Sequence, residues 1–86
     1  MHATVEAEPI TVWTSGEAPA RLVRGGERWR VIDRPTPLGG IPQLDGRAPR
    51  GNGWRVTMRR ESDQATAVAD LVEQPEGSWH LVHAWF

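Results

Sequence analysis

The 86-residue chain predicts an all-β domain: five to six short antiparallel strands forming a small barrel or a strongly curved sheet. Three observations carry this expectation. Apolar residues recur with a period of two, not 3.6, wherever a period can be read. Turn-forming residues separate these runs at short intervals. At this length, closure into a small barrel is the most economical way to protect sheet edges.

Met1–Pro9 is polar and acidic and is taken as a tail, leaving residues 10–86 as one β domain. The first run is Ile10–Thr14, ended by Ser15-Gly16. Ala20–Arg24 and Arg28–Asp33 flank Gly25-Gly26, a two-residue loop suited to a type I′ or II′ hairpin because glycine adopts positive φ without steric cost. That turn sets a register: Arg24 against Glu27, Leu22 against Trp29, Ala20 against Val31 on the core face, with Val23 against Arg28 and Arg21 against Arg30 on the other. Pro35–Asn52 follows as a long loop, rich in proline (Pro35, Pro37, Pro42, Pro49) and glycine, where Leu38, Ile41 and Leu44 are expected to pack back onto the sheet. Gly53–Arg60 alternates most clearly, with Trp54, Val56 and Met58 facing one way and Arg55, Thr57 and Arg59 the other. Glu61-Ser62-Asp63 turns the chain into Thr66–Glu73, whose Ala67–Val72 core tolerates a helical turn as well as a strand. Pro75-Glu76-Gly77 leads to the last strand, Ser78–Phe86.

Composition narrows the function classes. A chain this short makes one domain and buries only about 60% of its unfolded surface, so a deep substrate cavity is not expected. Five tryptophans supply burial in place of disulfides, and the absence of cysteine excludes thiol chemistry. No apolar run approaches the ~20 residues of a membrane span, and the polar N-terminus is not a signal peptide. A cytoplasmic protein without membrane, metal or cofactor is the expectation.

Charge carries most of the functional signal. All ten basic residues are arginines between Arg21 and Arg60, a segment of charge +7, while the flanks sum to −8. Arg21, Arg28 and Arg30, joined by Arg55 and Arg59 on the next strand, form an arginine-lined sheet face suited to phosphate. The competing explanation is that these arginines answer the chain's own acidic flanks. Exclusive arginine use also fits a GC-rich genome. Trp29 and Trp54 project to the opposite, core face. The last strand is apolar on both sides, which suits a central strand or one covered by a partner. Trp79, Trp85 and Phe86, together with the proline-rich loop, are therefore a second candidate surface, for another protein or a homodimer partner. His80 and His83 differ by an odd number and should point to opposite faces, so they would not share a metal. Ser15, Ser62 and Ser78 sit at turns outside any nucleophile elbow, and Asp33 and Asp70 are expected to close a strand or pair with arginine. The chain reads as a non-enzymatic accessory binding module.

The succession Arg24-Gly25-Gly26-Glu27-Arg28-Trp29-Arg30-Val31-Ile32-Asp33, then Gly53-Trp54-Arg55-Val56, then Gly77-Ser78-Trp79-His80-Leu81-Val82-His83-Ala84-Trp85 resembles the actinobacterial DUF6504 family, over about residues 20–86. Members are associated with error-prone Y-family polymerase and mutasome genes, so the resemblance implies a DNA-repair context. It also implies DNA or a DNA-polymerase-associated protein as the partner, and carries over no catalytic residue. The chain departs from the family pattern in the proline-rich loop, where a further tryptophan is expected soon after the third strand.

Overall fold

The computed structural model describes residues 3–4, 7–38 and 52–86. Its elements are strands: β1 (Ala3–Thr4), β2 (Glu8–Ser15), β3 (Ala18–Arg24), β4 (Glu27–Val31), β5 (Thr36–Pro37), β6 (Asn52–Arg60), β7 (Thr66–Glu73) and β8 (Trp79–Trp85). Six of them, β2, β3, β4, β6, β7 and β8, pair antiparallel with their neighbours in turn, and β8 returns to pair β2. The result is a closed six-stranded up-and-down barrel. The two-residue strands extend its ladders: β1 continues along β8, and β5 along β6. Among the described residues no helix is long and apolar enough to cross a membrane.

Local chemistry explains the path. Gly25 and Gly26 adopt φ of 56° and 81°, the doubly left-handed turn whose twist matches flanking antiparallel strands. They fix Arg24 against Glu27, Val23 against Arg28, Leu22 against Trp29 and Arg21 against Arg30, as the sequence predicts. The pair Ala20–Val31 is absent from this ladder. Ala20 is instead the extra residue of a bulge on β3, opposite the step from Trp13 to Thr14, and Val31 pairs Met58. After β4 the chain bends, and Asp33 pins the bend by accepting the Thr57 N–H at 2.9 Å. Asp33 thus closes a strand.

Thr66–Glu73 is a strand over its whole length, because its alternate residues Ala67, Ala69 and Leu71 fill the interior. The core sets large side chains against small ones. Trp29, Leu22, Met58, Leu71, Leu81 and Trp79 pack around Ala67, Ala69 and Ala84, as the taper of a small barrel requires. Leu38 returns to the sheet as expected, donating its N–H to the Gly53 carbonyl at 2.8 Å with its side chain against Gly53. Ile41 and Leu44 lie outside the described residues.

Two further expectations change. Ala3–Thr4 and Glu8–Pro9, assigned from composition to an acidic tail, pair with β8, whose edge would otherwise be left open. His80 and His83 share the outer face, because Val82 is the extra residue of a bulge that reverses the alternation between Leu81 and Ala84.

Candidate functional site

On the outer face of the barrel the register lines up a row across five strands. Trp13 of β2 opposes Arg21 of β3, Arg21 opposes Arg30 of β4, Arg30 opposes Arg59 of β6, and Arg59 opposes Thr66 of β7. Adjacent strands lie about 4.8 Å apart, so three guanidinium stems are held side by side. Arg28 stands two residues from Arg30 on the same face, paired with Val23, and its carbonyl accepts the Glu61 N–H at 2.9 Å. Like charges directly opposed cost a sheet stability. The fold tolerates them here in succession.

The arginines divide sharply. Arg24 holds Glu8 with two nitrogens at 2.7 and 3.2 Å and lies 4.8 Å over the Phe86 ring. Arg60 holds Asp63 at 2.9 and 2.8 Å and Glu27 at 3.0 Å, and lies 5.3 Å over Trp29. Arg55 holds Asp70 at 2.8 and 3.1 Å and lies 5.3 Å over Trp85. Each of these three is committed twice, to a carboxylate and to an aromatic ring. Arg21, Arg28, Arg30 and Arg59 have neither kind of partner among the described residues, and nor does Arg34, which lies beyond β4 and outside the row.

The electrostatics follow these contacts. Hydrogen bonding to Asp70, then its charge, raises the Arg55 guanidinium above its ordinary range, and Asp63 and Glu27 do the same for Arg60. Asp63 is held below the usual carboxylate range by Arg60 and by the Ala65 N–H. Glu76 is lowered by the hydroxyl of Ser78, which donates to it at 2.7 Å. None of these acids reaches the Trp13–Arg59 row.

Shallow grooves border the row. One of about 330 Å³ is lined by Trp13, Arg21, Val23, Arg28 and Glu61, among others. A second, of about 250 Å³, is lined by Arg30, Ile32, Arg59, Glu61 and Gln64. Glu61 is the acid common to both and makes no ion pair with these arginines. Trp13 is 49% and Ile32 40% exposed, so large apolar side chains flank the cations.

Four of the five arginines expected on this face are together, and Arg55 is set apart by its contact with Asp70. Sequence reasoning missed Trp13. The signal was present, since Ile10 and Val12 turned to the core put Trp13 on the outer face. The second candidate surface is dispersed. Trp79 is 6% exposed, inside the barrel, and Phe86 packs 6.2 Å from Trp29 beneath Arg24. Trp85 stacks on His83, whose Nδ1 lies 3.7 Å from Asp70. β8 is the central strand that its two apolar faces suggest, flanked by β7 on one side and by β1 and β2 on the other. No protein-family model, curated protein or solved structure matches the chain.

Proposed function

We propose that this domain is a non-enzymatic nucleic-acid-binding module that holds phosphates on Arg21, Arg28, Arg30 and Arg59. One observation carries the reading: these four arginines lack both the carboxylate and the ring that occupy Arg24, Arg55 and Arg60. Stacking like charges along a sheet is a cost that a bound polyanion offsets. Arginine suits the task because its planar fork meets phosphate oxygens with two donors. The accessory role in DNA repair implied by the likeness to DUF6504 is a context in which such a module would serve.

The test is a fluorescence-polarisation titration of the domain with labelled oligonucleotides at low and physiological salt. Affinity should fall steeply as salt rises, with a slope that shrinks by about one when Arg30 or Arg59 is replaced by alanine. Glu61→Gln removes the acid at the groove edge and should tighten binding, a gain that partial unfolding cannot imitate. Absence of binding at low salt, or indifference to all three changes, would sink the reading.

A further inference from the structure

Resting on that reading, we infer that the nucleic acid is single-stranded and that one base stacks on Trp13. Several features converge there. Trp13 terminates the arginine row directly opposite Arg21, so a strand whose phosphates follow the row brings a base to the indole. The ring is half exposed, whereas Trp29 and Trp79 are enclosed by the core. Trp29 and Trp85 each carry an arginine over their face, but Trp13 has no ring or cation contact among the described residues. Its face is open although Arg21 is its nearest cross-strand neighbour.

Size points the same way. The groove of about 330 Å³ beside Trp13 lies at the low end of the range for small-molecule sites, suited to a base and sugar. A duplex keeps its base faces stacked inside and would reach only the arginines. An aromatic platform beside a cationic track is the general solution for single strands, because every base has a π-face and every nucleotide a phosphate. Sequence preference should be weak, since stacking and phosphate contacts do not read a base edge.

The experiment compares four probes on the intact domain: a labelled pyrimidine single strand, a duplex, a single strand of abasic sites, and polyglutamate. Trp13→Ala should weaken the pyrimidine strand by at least about fivefold while leaving the abasic strand unchanged. Trp13→Phe should retain most of the affinity, and near-ultraviolet circular dichroism checks that both variants are folded. Equal affinity for duplex and single strand, with no effect of Trp13→Ala, overturns the stacking while the arginine surface stands. Polyglutamate bound as tightly as the oligonucleotide overturns it in favour of an acidic protein segment. If no probe binds at low salt, the arginine reading and this one fall together.

Discussion

Arg55 and Arg59 lie four residues apart on the same face of β6, and their different roles depend on what the ladder places opposite them. Arg55 faces Asp70 and Arg59 faces Thr66. The Asp70 side chain is 7% exposed while that of Arg55 is 53% exposed, so the two are unequal partners. Arg55→Ala strands a buried carboxylate, whereas Asp70→Ala releases an arginine already in water. Arg55→Ala is therefore expected to lower the urea midpoint more than Asp70→Ala does. In the row itself the sign reverses. Arg30→Thr removes two like-charge contacts of roughly 0.2–1 kcal/mol each and adds a good strand former. Urea denaturation at low salt should show a more stable protein, with the gain shrinking as salt screens the row. The alternation in Gly53–Arg60 placed both arginines outside, but their partners depend on the β6–β7 register, which local pattern leaves open.

At the scale of elements, the hairpin was legible and the bulges were not. Gly25-Gly26 encodes its turn locally, since two consecutive positive φ values select glycine. Gly26→Ala, at φ 81°, is expected to cost about 1–2 kcal/mol by urea denaturation. Gly25→Asn, at φ 56°, should cost less, because asparagine visits the left-handed region readily. The extra residues Ala20 and Val82 leave no comparable trace. A bulge answers the curvature of the whole barrel, and any residue that bends serves. Parity was therefore reliable within Gly53–Arg60 but failed across β8, where it separated His80 from His83. The strand assignment of Thr66–Glu73 came from its neighbours: only pairing on both sides places Ala67, Ala69 and Leu71 against the core.

For the molecule as a whole, closure and charge are linked. The acidic flanks and the basic centre are adjacent in the barrel. Glu8 reaches Arg24 across β2 and β3, and Asp70 reaches Arg55 across β7 and β6. Part of the charge asymmetry is thus internal complementarity, and four further arginines form the outer row. Acid titration of stability should reflect the surface acids. Asp63 and Glu76 are held below their ordinary values in the folded state, so as pH falls the unfolded chain takes up protons first. Their contribution is complete above about pH 5 and is lost as pH drops through the folded values. Thermal unfolding followed from pH 7 to 2 should be level down to about pH 5 and then decline. Ser78→Ala should move the Glu76 carboxyl upward in an NMR titration and leave Asp63 in place. The fold class was legible because period and turns are local properties. The site was only half legible because it combines residues from β2, β3, β4 and β6.

The closing seam between β2 and β8 also governs how the chain is made. Glu8, Pro9 and Ile10 must wait for Leu81, His80 and Trp79 before their ladder can form. The two partners are separated by nearly the whole chain, so the last contact is the one with the largest loop-closure cost. On the ribosome, the β2 edge and the apolar lining of β3, β4 and β6 stay uncovered until β8 emerges. Closing this seam is therefore a late step, and a nascent chain stalled before Trp79 presents an open sheet edge to any neighbour able to pair with it.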